Sequence, residues 1–148
     1  MRLVLLNDME RVIKMLKKYA DKWIKALESG KYKKGKGFLC SIEGKNKTPK
    51  YCCLGVLCEI LKVPKRNHQN IIDTEDGLFQ TVEYGDNIGK SNTSLPTGIM
   101  KKVGIKESEG RIRNFNFDGS ILLTTLNDSR DYSFKKIAKV IKKHYEEL

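Results

Sequence analysis

The chain has 148 residues, four cysteines and a net charge of +11, and that length supports one core that buries about two thirds of the unfolded surface without disulfides or metal. Charged residues make up 32% of it and apolar residues 39%, but the apolar ones fall in periodic runs, which excludes a disordered polyelectrolyte. No run approaches the ~20 apolar residues of a membrane span, and the opening MRLVLL is too short for a signal-peptide core. The expectation is one domain over 1–148, in the cytoplasm and without membrane association.

The first predicted element is a helix over NDMERVIKMLKKYADKWIKALESG. Asp8 is placed to cap it, and Met9, Val12, Ile13, Leu16, Tyr19, Ala20, Trp23, Ile24 and Leu27 recur at helical spacing until Ser29 and Gly30 stop it. Trp23 lies on the apolar stripe and reads as a core anchor. Gly30 to Lys50 then carries seven lysines and one glutamate. Residues 1–50 hold 14 Lys or Arg against 5 acids, whereas 51–148 hold 15 against 13. The field is therefore concentrated on a glycine-rich loop, where it either draws in polyanions and phosphorylated small molecules or serves as a solvated face.

Further along, GFLCSIEG reads as a strand with PKYCC pairing back on it as a hairpin. CLGVLCEIL has the pattern of a short buried helix bounded by Pro64, and Gly55 inside it costs about 1 kcal/mol against alanine unless a close backbone approach requires it. Two strands are expected on either side of Asp76-Gly77. SLPTGIMKKVGI predicts a short helix with Pro96 near its first turn and Gly104 after its last. GRIRNFNF fits a strand or an extended loop, SILLTTLNDS a short helix, and Ser133 caps a last helix that buries Phe134, Ile137, Ala138, Val140 or Ile141, and Tyr145.

The cysteines crowd into YCCLGVLCEI, and three chemistries compete for them. Zinc wants Cys or His knuckles, but the spacing is Cys40-x11-Cys52-Cys53-x4-Cys58 with His68 and His144 in reserve. A nucleophile needs a base and a lowered pKa, and neither histidine sits in a local motif that supplies one. Reduced thiols acting as small hydrophobes in a tightly packed helix are the expected state, with no metal and no cofactor.

WIKALESGKYKKGKGFL, YCCLGVLCEI and LNDSRDYSFKKIAKVI resemble, in order and spacing, a family of small phage and prophage proteins. That family shows W-x3-L-x-S-G-x-Y, C-C-L-G-V-L-C and L-N-D with S-F-x-x-I-A blocks; Lys34 stands where it usually has glutamine, which raises the local charge. The resemblance covers about half the chain and implies a phage origin and a compact α+β domain. The elements above give that domain long N-terminal and C-terminal amphipathic helices, packed with a short buried helix and a small antiparallel sheet. By analogy with small phage proteins that act against host immunity, it implies a non-enzymatic sponge for a nucleotide second messenger in the host cytoplasm.

Capture of a small nucleotide-type anion needs cations for phosphate, aromatic faces for a base and short polar groups for ribose or base edge. The candidates are Tyr32, Lys34, Lys36 and Tyr51 around the first loop, Arg111 and Arg113 from GRIRNFNF, and Asn127, Asp128 and Arg130 from the late polar block. Each has a plainer reading: Tyr32 and Tyr51 as strand-edge packing, Asn127-Asp128 as a turn and cap. Lys34, Lys36 and the late block are expected to converge on one site. Alternatives are weak nucleic-acid binding, docking on an acidic host protein, formation of a homo-oligomer, and an enzyme using Asn127 and Asp128 with Asp118 or Asp131.

Overall fold

A computed structural model of the chain describes residues 15–148 except Asp76 and Asp118, and for residues 69–74 it describes the backbone path. Asp8 and the helical positions before Met15 therefore lie outside the described residues, as does the candidate Asp118. Helix α1, Lys17–Glu28, is amphipathic with Ala20, Trp23 and Leu27 buried. Leu16, which the periodicity places within a helix, is extended and donates its N–H to the Val103 carbonyl at 2.9 Å. A tertiary contact replaces the local helical bond there.

Strands β1 (Cys40–Glu43) and β2 (Thr48–Tyr51) form the expected antiparallel hairpin, with Cys40 opposite Tyr51. Helix α2, Cys53–Ile60, follows at once, and residues 53–58 of it are all buried. Its closeness to the sheet explains Gly55: a Cβ built there would stand 1.7 Å from the Leu39 carbonyl oxygen. The long hairpin of β3 (Lys65–Thr74) and β4 (Gly77–Gly85) turns at the expected place. With the two-residue β5 (Lys90–Ser91) on β4, the sheet runs β2-β1-β4-β3 and these strands pair antiparallel.

Helix α3, Thr97–Val103, has Pro96 as its N-cap and ends on left-handed Gly104, at φ 84°, a backbone region that favours glycine. β6 (Arg111–Asn116) is a strand, not a loop, because β7 (Gly119–Leu122) pairs with it. SILLTTLNDS is accordingly divided: its first part is β7 and only Leu123–Asp128 forms helix α4. Ser133 caps α5, Phe134–His144, its Oγ accepting from the Lys136 N–H at 3.2 Å. Ile141 is the buried member of the Val140/Ile141 pair, and Tyr145 falls in a closing 3-10 turn.

The architecture is α+β. Among helix pairs α1 packs most extensively on α5; α1 also packs on α2, α4 touches both α2 and α5, and α2 presses Gly55 on the Leu39 backbone. Trp23 is fully buried and donates its indole N–H to the Cys53 carbonyl at 2.8 Å. Each such large side chain taken from water contributes about 1.5–3 kcal/mol. No described helix is long and apolar enough to cross a membrane.

Candidate functional site

The lysine-rich first loop is fastened to the segment around the end of α4 by contacts that span most of the chain. Its residues 33–35 run beside β2, with Gly35 N–H donating to Tyr51 O at 2.7 Å and Tyr51 N–H to Lys33 O at 2.8 Å. From there Lys34 Nζ donates to the carbonyls of Ser129 (2.9 Å) and Tyr132 (2.6 Å). Gly37 N–H donates to Asp128 Oδ1 at 3.1 Å. Asn127 is wholly buried: its Nδ2 donates to Gly35 O at 2.9 Å, and its Oδ1 accepts the Cys53 N–H at 2.9 Å, an otherwise orphaned donor in the first turn of α2.

The structure thus brings Lys34 together with Asn127, Asp128 and the loop that carries Arg130. It uses Lys34 and Asn127 as fasteners. An ammonium has three donors, so two carbonyls leave Lys34 one N–H. Burial first, then the neighbouring Lys36, lowers its pKa, while Asp128 opposes the shift.

Two clefts flank this seam. The first, about 390 Å³, is lined by Leu27, Gly30, Tyr32, Lys34, Arg130, Tyr132, Ser133, Phe134 and Lys135. It offers three cations, two phenol rings and no acid, and it lies at the N-terminal end of α5. The first turn of α5 has no acidic residue, so the positive end of the helix dipole adds to the cations there. The second cleft, about 260 Å³, is lined by Gly37, Cys52, Thr93, Glu109, Leu122, Thr124, Thr125 and Asp128. Its charged groups are acids and it suits no phosphate.

Of the residues singled out in the sequence, Tyr32, Lys34 and Arg130 line the cationic cleft and Asp128 the acidic one. Lys36 is exposed beside Lys34. Tyr51 stands behind the cleft, its ring edge-on to Tyr32 with centroids 5.3 Å apart. Arg111 and Arg113 line neither cleft; Arg111 is held by Glu107 at 2.8 Å and Ser120 at 2.9 Å. Sequence reasoning passed over Tyr132 and Lys135, although a lysine in the first turn of a helix, against its dipole, is a signal the sequence does carry.

The thiols are buried and unbridged. Burial pushes Cys40 up to about 11 and Cys52 up to about 12, and raises Cys53 and Cys58 as well. Cys52 caps α2, its Sγ accepting from the Gly55 N–H at 3.4 Å. Among the described residues no group of three His, Cys, Asp or Glu is arranged to hold a metal ion.

A family model described as a domain of unknown function matches residues 15–145. No curated protein and no solved structure matches the chain.

Proposed function

The chain belongs to the DUF8296 family, a domain of unknown function, and we propose that it captures a small phosphorylated, nucleotide-type ligand without converting it. The observation that carries this reading is the cationic cleft: Lys34, Arg130 and Lys135 with the rings of Tyr32 and Tyr132, around a volume of about 390 Å³ free of carboxylates. Lysine and arginine neutralise phosphate, a phenol face takes a base, and a concave site of this size holds one nucleotide unit.

Capture rather than conversion is supported by what surrounds the cleft. Both polar atoms of Asn127 are engaged by backbone, Asp128 lines the other cleft, and burial keeps the thiols protonated near neutral pH. None of these groups stands among the cleft-lining residues to act as a general base toward the phosphate. In a phage setting such capture would remove an immune second messenger from its effector.

The test incubates the folded protein with an equimolar panel of linear and cyclic nucleotides, removes the unbound fraction, and analyses by mass spectrometry what heating releases. One nucleotide should be retained and released unaltered. An Arg130→Ala, Lys135→Ala double variant should bind it at least about tenfold more weakly, since charge-assisted contacts are worth about 1.5–3 kcal/mol each. Its melting temperature should stay put, because both side chains are exposed. No retention, or undiminished retention by the double variant, overturns the reading.

A further inference from the structure

We infer that the ligand of this cleft is the end of a longer polyanion, a single-stranded oligonucleotide whose backbone continues from the cleft along the outer face of α5; the inference rests on the capture reading above. Lys135 belongs to two features at once. It lines the cleft, and it opens a row of exposed lysines, Lys135, Lys139, Lys142 and Lys143, whose i, i+4, i+7, i+8 spacing puts them on one helix face. Between Lys135 and Lys143 the helix rises about 12 Å at 1.5 Å per residue. That is the reach of about three to four stacked nucleotides at a rise of about 3.4 Å each.

The row is compensated only in part: Lys142 and Lys143 lie in the last turn, where the helix dipole favours cations, but Lys135 and Lys139 do not. Every helical neighbour of Lys139 at i±3 and i±4 is a lysine: Lys135, Lys136, Lys142 and Lys143. Like charges at this spacing destabilise a helix. Among the described residues none of the four lysines in the row has an acidic partner. Among the described residues ion pairs form at Glu43–Lys50, Glu59–Lys65, Glu83–Arg66 and Glu107–Arg111, with His144–Glu147 at the helix end. A phosphodiester backbone would relieve the repulsion.

Single strands are favoured over duplex because the row leads into a cleft whose two phenol rings take an unpaired base. The cleft then holds a terminal nucleotide and the row holds the phosphates that follow.

The experiment measures binding of 5′-phosphorylated adenylate oligomers of about one, two, four and six residues, lengths that bracket the reach of the row, by calorimetry. The wild-type chain is compared with a folded Lys139→Gln, Lys142→Gln, Lys143→Gln variant. Affinity should rise at least about tenfold from the monomer to the tetramer, with a steeper salt dependence, as expected when further phosphates are neutralised. The variant should lose that gain and keep the monomer affinity. If the monomer binds and length adds nothing, or the variant keeps the gain, the inference falls and the capture reading stands. If polyglutamate of matched charge competes as well as the oligomer, the row is a docking face for acidic protein and the inference also falls. If no oligomer of any length binds, this inference fails, and failure of the nucleotide panel as well takes the capture reading with it.

Discussion

Asn127 joins three parts of the chain with one amide, and its environment decides what its loss would do. Replacing it with alanine strands the Cys53 N–H and the Gly35 carbonyl in a dry interior, each at a cost of about 1–3 kcal/mol. Asn127→Ala should therefore lower unfolding free energy by about 2–4 kcal/mol in urea titrations, and a loss under about 0.5 kcal/mol, the scale of an ordinary surface substitution, would contradict the buried role. Lys34 is a milder case, since its carbonyl partners are part-buried. Lys34→Gln keeps a donor group near Ser129 and Tyr132 and removes the charge, whereas Lys34→Ala removes both. Thermal melts should find the alanine variant less stable than the glutamine one, while nucleotide capture falls in both. The sequence marked both residues for one shared site, Lys34 from the first loop and Asn127 from the late block, but not their work, because a polar side chain looks the same whether it meets a ligand or a carbonyl 95 positions away.

Helix α2 shows how far pattern reading reaches and where it stops. Its length, its burial and the close approach at Gly55 follow from CLGVLCEIL, because a short apolar run that keeps a glycine must press that glycine on something. Gly55→Ala, which would ordinarily favour a helix by about 1 kcal/mol, should instead prevent folding or cost several-fold more than that gain, read as the loss of a cooperative urea transition. The Cβ has nowhere to go but into the Leu39 backbone. The same burial gives the helix a pH signature. Thiols that ionise near 9.0 in the unfolded chain but only at about 12 for Cys52 in the fold make the unfolded state the better proton releaser above pH 9. Stability contributed by these thiols is complete below pH 9 and falls as pH rises toward the folded values, by up to about 1.4 kcal/mol per unit for each thiol. Cys52→Ser, whose Oγ can take over the cap from Sγ, should flatten the fall in urea midpoints between pH 8 and 11; an unchanged slope would remove Cys52 from the account. The misread elements, the extended Leu16 ahead of α1 and the division of SILLTTLNDS, share one cause. Leu16 and residues 119–122 take their conformation from partners distant or cross-strand, at Val103 and β6, and periodicity within a window cannot register a partner outside it.

For the molecule as a whole, charge and topology point in one direction. Among the described residues, ion pairs lie in or beside the strands at Glu43–Lys50, Glu59–Lys65, Glu83–Arg66 and Glu107–Arg111, while α5 carries a lysine row next to the cationic cleft. Capture should accordingly weaken with added salt, and isotherms at rising ionic strength should give a straight line of negative slope in log affinity against log salt. A flat line would place the binding energy outside these cations. The lopsided charge was legible in the sequence, but its assignment to α5 and the cleft was not, because the sequence excess sits in residues 1–50. The seam itself carries a kinetic consequence. Its bonds, Lys34 to Ser129 and Tyr132, Gly37 to Asp128 and Asn127 to Gly35, close loops of 91 to 98 positions, whereas the hairpins and α5 need only local closures. Loops of that size lose the most chain entropy and are rewarded last, so the cleft wall is completed after the transition state. A bound nucleotide should then slow unfolding and leave the refolding limb of the chevron where it was. The protein would hold its cargo by kinetic resistance to opening, and the chain would be unable to bind anything there until Lys135 had been made.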